Sequence, residues 1–224
     1  MRQDGPVTLS TPGAVVAVCR VHQLKPDASP VGVTAIDKRP VQGQVAVHDL
    51  GLSGDVQADR SDHGGRDQAV YAYSQESADV WAERLGRDVV PGLFGENLRT
   101  AGVDVDGAVI GERWQVGSAV VLEVTSPRIP CSTFGRHLGQ ESWPRRFTEV
   151  GLPGAYLRVV QRGRLAAGDP VRVVHRPGHG VTVARWFAGG TAQDARALTA
   201  AEAEGGWSMG QSLRFFVERA LTRA

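Results

Sequence analysis

Glycine residues divide most of the chain into short segments, and this punctuation constrains the fold more than any other sequence feature. The chain has 28 glycines among 224 residues, and many of them separate short runs rich in valine. Branched side chains fit a pleated sheet surface, whereas glycine accepts the backbone angles of tight turns. This alternation predicts a mainly β fold with many turns.

The strongest strand signal lies at residues 120–125, where the sequence reads VVLEVT. The segments 103–114 and 116–125 together predict a hairpin, with Gly117 at one of its turns. Ser74 is placed to begin a helix, and Gly86 is placed to end it. Other predicted strands cover residues 13–22, 32–36, 69–73, 155–161 and 170–174.

The pattern changes from β to α at Val181. Thr199 and Glu202 have the spacing of a capping box, in which each side chain satisfies an end N–H group of a helix. A second helix is indicated by an apolar stripe with helical spacing that begins at Leu213. We therefore predict a flexible leader at 1–12, a β domain at 13–176 and a small helical C-terminal domain at 177–224.

The charge balance and the cysteine count argue against several classes of protein. The chain has 25 basic and 24 acidic side chains, so it has no overall field that would attract nucleic acid or anionic lipid. Two cysteines are too few for a disulfide framework or an iron–sulfur cluster. The sequence has no signal-peptide core and no apolar run of membrane-spanning length. These features lead us to expect a cytoplasmic protein without nucleic-acid or membrane partners.

Cys131 is the first candidate functional residue. It follows the strand at 120–125 in the segment SPRIPC, where two prolines stiffen the loop and end the strand ladder. Arg128 lies three residues earlier, and a nearby guanidinium favours the thiolate, the form that binds metals and attacks substrates. The alternative is that Cys131 is a small buried apolar residue. We expect Cys19, within a strand, to be structural.

A polar glycine-containing loop supplies the second candidate site. In the segment 62–66, paired glycines could expose backbone N–H groups to an anion, with His63 and Arg66 adding donors. The alternative is a solvated connection. Asn97 could contact a ligand or could merely shape a turn. His63 or His137 could serve as a base for Cys131, but no common zinc ligand spacing occurs.

Taken in chain order, several segments resemble the MOSC domain, the C-terminal module of molybdenum cofactor sulfurases. The resemblance covers roughly residues 13–175. Within this family, the chain is most similar to the stand-alone bacterial subgroup that reduces bases such as 6-hydroxylaminopurine. One departure is Glu112, where the family more often has aspartate. The matching segments are TAIDKRPV (34–41), LGLSGDVQADRSDHGG (50–65), AVYAY (69–73), GLFGENL (92–98), IGERWQVG (110–117), PRIPC (127–131), YLRVVQRG (156–163) and GDPVRV (168–173).

The resemblance implies a β-barrel that binds the pterin-based molybdenum cofactor, with Cys131 as the metal ligand and catalytic residue. A thiolate suits molybdenum, and the anionic end of the cofactor requires positive charge and N–H donors. The candidate cofactor-binding residues are Lys38, His63, Gly64, Gly65, Arg66, Asn97 and Arg128.

The expected activity is reduction of small N-hydroxylated compounds. The sequence has no flavin, nicotinamide or iron–sulfur motif, so the electrons would come from a separate flavin or iron–sulfur protein. Two alternatives stay open: a sulfur carrier that uses a Cys131 persulfide, and a non-catalytic molybdopterin-binding module. The helical tail could pack on the barrel, close over the site, or contact an electron donor or a second copy of the chain.

Overall fold

The computed structural model describes residues 12–58 and 64–223, which form thirteen strands and six α-helices. The strands are β1 (Gly13–Val21), β2 (Lys25–Pro26), β3 (Val33–Thr34), β4 (Lys38–Pro40), β5 (Val45–His48), β6 (Gly51–Leu52), β7 (Val70–Ser74), β8 (Leu98–Ala101), β9 (Arg113–Val116), β10 (Val120–Pro127), β11 (Ala155–Gln161), β12 (Gly163–Leu165) and β13 (Pro170–His175). The helices are α1 (Gln75–Leu85), α2 (Ser132–Leu138), α3 (Trp143–Val150), α4 (Val183–Phe187), α5 (Ala192–Ala203) and α6 (Gln211–Thr222).

Seven strands close into a barrel, which confirms the predicted fold class. Their order is β1-β8-β7-β11-β10-β9-β13, and β13 pairs back to β1. Neighbouring strands are antiparallel except β7 and β8, which are parallel. Strand β4 pairs with the second half of β1, and β12, β5 and β6 form a separate three-stranded sheet. Closure removes the exposed sheet edges that an open sheet would present.

The predicted hairpin is formed by β9 and β10, with Gly117 in the turn at a φ of 61°. This left-handed conformation suits glycine, which has no Cβ to clash with the backbone. Strand β10 ends at Pro127, as the proline positions predict. The prediction of a strand over 103–112 was wrong. This segment turns repeatedly, and Glu112 is held in place by a hydrogen bond from the Trp114 indole at 2.7 Å.

Two hydrophobic clusters stabilise the fold. The first fills the barrel with buried side chains such as Val18, Leu122 and Leu157. The second is aromatic and lies under α1, α2 and α3, where Trp81 stacks on Phe147 at a centroid distance of 5.7 Å. The second cluster fixes α2 against the barrel and so fixes the loop that precedes it.

Helix α1 begins and ends as predicted, with the Ser74 side chain accepting a hydrogen bond from the Ser77 backbone and Gly86 in the left-handed region. The predicted helix start at Thr199 was wrong. The capping box is formed earlier by Thr191 and Asp194, and the alanine-rich segment that follows continues helical to residue 203. Thr199 lies within α5, where its hydroxyl donates to the backbone carbonyl of Ala195.

The helical tail packs directly on the barrel. Its buried residues, including Trp186, Leu198 and Leu213, belong to the same hydrophobic cluster as the barrel interior. The two parts therefore share one hydrophobic core. The predicted domain boundary at residue 176 stays a prediction. No helix in the described ranges combines the length and apolar character needed to cross a membrane.

Candidate functional site

A cavity of about 350 Å³ lies at one end of the barrel. Its walls come from the β2–β3 hairpin and the segments that follow β3 and β6, from the ends of β7 and β10, and from the start of α2. Strand ends and their loops commonly carry functional residues, because the sheet holds them rigidly. The charged and polar residues that line the cavity include Lys38, Asp55, Gln57, Gln68, Tyr71, Asn97, Arg128, Cys131, Ser132, Thr133, Arg136 and Tyr156.

Cys131 lies on the cavity wall between β10 and α2. Its backbone is extended, with φ −123° and ψ 171°, and it is the residue before the first turn of α2. Its side chain is half-buried. The negative charge that Cys131 can carry raises the pKa of Arg128 and of Arg136, although the first cause at Arg136 is its hydrogen bond to Asp27. The thiol therefore lies among cations, as the sequence predicts.

Arg128 is the most buried cation of the cavity, with 7% of its surface exposed. Its guanidinium lies 4.1 Å from the ring centroid of Phe134 and 5.0 Å from that of Tyr71, and Nη1 donates to the carbonyl of Phe94. Within the described part of the chain, its Nε has no hydrogen-bond partner. Burial lowers the pKa of Arg128, but Tyr156, Tyr71 and Cys131 more than offset this and keep it raised.

An unpaired buried N–H donor costs free energy, on the order of 1–3 kcal/mol. The Nε of Arg128 is such a donor; the atom itself is enclosed by protein, whereas the Arg128 side chain lines the cavity. The guanidinium charge attracts an anion or a carbonyl oxygen bound in the cavity. Arg128 therefore favours an oxygen-rich ligand in the cavity.

Lys38 forms an ion pair with Asp55 in the same cavity. Burial lowers the pKa of Lys38, and Asp55 opposes this shift. Asn97 donates to Asp55 at 2.7 Å and accepts from the backbone N–H of Tyr71 at 3.1 Å. The amide of Asn97 thus joins β7 to the Lys38–Asp55 pair, and its role as a direct ligand contact stays a prediction.

A second ion pair connects two segments that line the cavity. Arg136 in α2 donates to both carboxylate oxygens of Asp27, at 3.0 and 2.7 Å, and Thr133 donates to Asp27 at 2.9 Å. These bonds hold the pKa of Asp27 well below its usual range, with Arg136 the main cause. The loop after β2 is thereby tied to α2 beside Cys131.

The described part of the predicted glycine loop, residues 64–66, lies outside the cavity lining. His63 is outside the described residues. The Gly65 N–H donates to the Gln57 side chain at 2.9 Å, and Arg66 is 72% exposed and pairs with Asp49. Gly64, Gly65 and Arg66 do not line the cavity, although Gln57 does. Their contact with a cofactor stays a prediction.

No histidine lines the cavity among the described residues. His137 contacts the Leu93 backbone, and burial lowers its pKa. The described ranges also contain no cluster of three or more His, Cys, Asp or Glu side chains arranged to bind a metal.

Sequence reasoning missed Asp55, Tyr156, Thr133 and Arg136 as residues of this cavity. Asp55 offers a signal, because it follows the glycine turn of the segment LGLSGD within the resemblance. Arg136 offers none, since its partner Asp27 is 109 positions away. Such contacts depend on the closed barrel and not on local spacing.

Sequence comparisons identify relatives that carry little functional description. The MOSC domain family model matches residues 59–172. The uncharacterized protein YflK of Bacillus subtilis is 35% identical over 150 residues, which is 67% of each chain. Protein YiiM of Escherichia coli is 31% identical over 157 residues, covering 69% of this chain and 68% of YiiM. A protein of Gibberella moniliformis named "Reductase" is 32% identical over 175 residues, but these span only 30% of its length.

Solved structures agree on the fold. YiiM from Geobacillus stearothermophilus has a TM-score of 0.73 at 27% identity and covers 94% of this chain and all of its own. YiiM from Escherichia coli has a TM-score of 0.69, covering 95% of this chain and 93% of its own. At 23% identity, this second likeness bears on the fold alone.

Proposed function

This chain belongs to the MOSC domain family, and from this premise we propose that it binds a molybdenum–pterin cofactor and reduces small N-hydroxylated compounds. The observation that carries the proposal is the meeting of three groups in one cavity. These are the thiol of Cys131, the guanidinium of Arg128 and the cation of Lys38. The name "Reductase" of one fungal relative supports the reaction class, although the match spans a minority of that protein.

The donor set of the cavity fits this cofactor. A single thiolate is a suitable protein ligand for molybdenum when the pterin supplies further sulfur ligands. The anionic part of the cofactor requires cations and N–H donors, which Arg128 and Lys38 provide. Of these two, Arg128 is the better candidate for contact with the anionic part of the cofactor, because Lys38 already pairs with Asp55.

The bound cofactor would supply a redox-active metal that accepts the oxygen of an N–O bond. The chain's own residues would orient and hydrogen-bond the reactants. Burial raises the pKa of Tyr156, so its hydroxyl keeps its proton at neutral pH and can donate to a ligand. Overall, an N-hydroxylated group, two electrons and two protons give the amine and water. We propose that a separate flavin or iron–sulfur protein supplies the electrons, since the sequence has no motif for either group.

The proposal is tested by metal and pterin analysis of protein expressed in a host that makes the cofactor. We expect about one molybdenum and one pterin per wild-type chain, loss of molybdenum in Cys131→Ala, and no loss in Cys19→Ala. The loaded protein should reduce hydroxylamine with an artificial electron donor but not with NADH alone. Folded wild-type protein without molybdenum would contradict the proposal.

The same measurements separate the two alternative functions. A persulfide carrier would contain labile sulfur on Cys131 and no molybdenum. A storage or delivery module would contain molybdenum and pterin but would show no reduction of hydroxylamine with any donor. Either pattern would replace the reductase proposal.

A further inference from the structure

Cys131 also lines a second cavity, of about 410 Å³. Gln68 and Tyr156 are the other residues shared with the first cavity. The remaining walls come from the segment 126–130 and from the helical tail. The tail contributes Trp186 from α4 and Ser212, Leu213 and Phe216 from α6.

The two cavities differ sharply in chemistry. The first contains Lys38, Arg128 and Arg136, whereas no described residue that lines the second is charged. The second is walled by proline, isoleucine, leucine and aromatic rings. Such a lining binds apolar and planar groups, with a few polar atoms to orient them.

Successive residues of the loop before Cys131 line different cavities. Arg128 extends into the first cavity and is 7% exposed, whereas Ile129 faces the second and is 54% exposed. Pro127 and Pro130 stiffen the loop between them, since each fixes its own φ. The thiol of Cys131 therefore lies where a cationic cavity and an apolar cavity meet.

The aromatic wall of the second cavity is held in place by close packing. A Cβ atom built on Gly190 would lie 2.1 Å from the Cε3 atom of Trp186, so the indole rests directly on the glycine backbone. Trp186 is also part of the main hydrophobic core. Phe216, by contrast, is 43% exposed, although the apolar stripe of α6 predicts burial. The exposed Phe216 ring and the fixed Trp186 indole both line the second cavity and give a ligand an apolar surface.

We infer that the second cavity is the substrate subsite, and that it receives the planar apolar part of the N-hydroxylated compound between the tail and the 127–130 loop. The N–OH end then points toward Cys131 and the first cavity. This inference rests on the proposed function and assigns the helical tail a role in substrate selection. Ile129, Trp186 and Phe216 are the specificity-determining residues. Cys131, Gln68 and Tyr156 line both cavities, and this shared wall favours a small substrate over a protein segment as the occupant.

The apolar surface continues beyond the second cavity. A neighbouring groove shares Pro127, Ile129, Trp186 and Phe216 with it and is also lined by Arg219 and Arg223.

The first test measures binding without turnover. Equilibrium dialysis of native protein against 6-hydroxylaminopurine, with no electron donor, compares Phe216→Ala with Phe215→Ala. Phe215 is the comparison residue, because it is 53% exposed on the same helix and lines neither cavity nor the groove. Its ring packs edge-on against that of Phe216 at a centroid distance of 5.4 Å, so the comparison isolates the ring that lines the cavity. Because a base stacked on an aromatic ring gains binding free energy, we expect Phe216→Ala to bind the purine about tenfold more weakly. Equal affinity of the two variants would overturn the inference.

The second test compares two substrates on the loaded protein. The ratio of kcat/KM for 6-hydroxylaminopurine to that for hydroxylamine should fall roughly tenfold in Phe216→Ala and stay unchanged in Phe215→Ala. Hydroxylamine has no ring, so it reports the reaction without the apolar contact. An equal loss for both substrates would place the cavity outside substrate selection and would overturn the inference.

The two proposals fail in distinguishable ways. Wild-type protein without molybdenum would contradict the reductase proposal, and the dialysis experiment would still measure the subsite. Loaded protein that reduces hydroxylamine, but binds the purine equally in both phenylalanine variants, would retain the reductase and remove the subsite.

Discussion

The surroundings of the two cysteines show how one side chain is used in opposite ways within a single fold. Cys19 lies in the second half of β1 with no exposed surface, and burial raises the pKa of its thiol to about 12. Glu96 adds to this shift, whereas Arg99 opposes it. Cys131 lies past the end of β10, half-buried on a cavity wall with Arg128 and Arg136 nearby.

The comparison shows that the environment of each thiol depends on whether its cysteine lies within a barrel strand or beyond the end of one. Cys19 has no exposed surface within β1, and this burial disfavours its charged form even with Arg99 and Lys38 nearby. A residue just beyond the strand end meets cations that the loops bring together. The barrel thus buries one cysteine and places the other on a cavity wall.

The largest expected difference is in reactivity toward an alkylating reagent. At pH 8 a thiol with a pKa of about 12 is only about one part in 10⁴ thiolate. Folded protein without cofactor should therefore incorporate one equivalent of iodoacetamide at Cys131 before Cys19 reacts measurably. Peptide mapping by mass spectrometry identifies the modified residue. Equal labelling of both cysteines in folded protein would contradict the predicted difference in their reactivity.

The next effect concerns the cation of the cavity. Arg128→Lys keeps a positive charge but loses the planar fork and its contacts with Tyr71 and Phe134. We expect the dissociation constant for the cofactor to rise roughly 10- to 100-fold, as for other supporting residues of metal sites. Arg66→Lys is the matched control, because Arg66 is exposed and lies outside the cavity. Equal losses in both variants would favour the glycine loop as a second anion contact.

The alkaline limit of stability should report the environment of Cys19. Its folded pKa is raised from 9.0 to about 12, so the folded state holds this proton more tightly than the unfolded state does. Its contribution is complete below pH 9 and is lost as pH rises toward 12, by about 1.4 kcal/mol per pH unit. Urea unfolding between pH 8 and 11 should show a shallower decline for Cys19→Ala than for Cys131→Ala. Identical slopes would indicate that Cys19 ionises freely.

The smallest effect is on stability at neutral pH. Replacing Cys19 by alanine removes one buried sulfur atom from the barrel and should cost about 1 kcal/mol, similar to the loss of a buried methyl group. Cofactor content should not change. A Cys19→Ala variant that unfolds normally but lacks molybdenum would assign Cys19 a functional role.

The sequence predicted the parts of this comparison that depend on local pattern. The strands β7, β10 and β11, the capping of α1 and the proline end of β10 follow from side-chain alternation and backbone limits. The resemblance indicated the barrel, and it placed Lys38 and Arg128 in the candidate set; both line the cavity.

The rest depends on contacts between distant segments. Nothing local to Asp27 or Arg136 predicts their ion pair, which forms only when the β2–β3 hairpin and α2 meet. Arg66 has the composition of an anion contact, yet its nearest partner is Asp49. The second cavity needs the tail to pack beside the 127–130 loop, and an amphipathic stripe does not specify where its helix docks.

The most direct test of the central claim is X-ray absorption at the molybdenum edge, because it counts sulfur atoms bound to the metal. The wild-type protein and Cys19→Ala should show the same number of sulfur ligands. Cys131→Ser, purified with its remaining molybdenum, should show one fewer, with an oxygen in its place. An unchanged sulfur count in Cys131→Ser would contradict the assignment of Cys131 as the metal ligand.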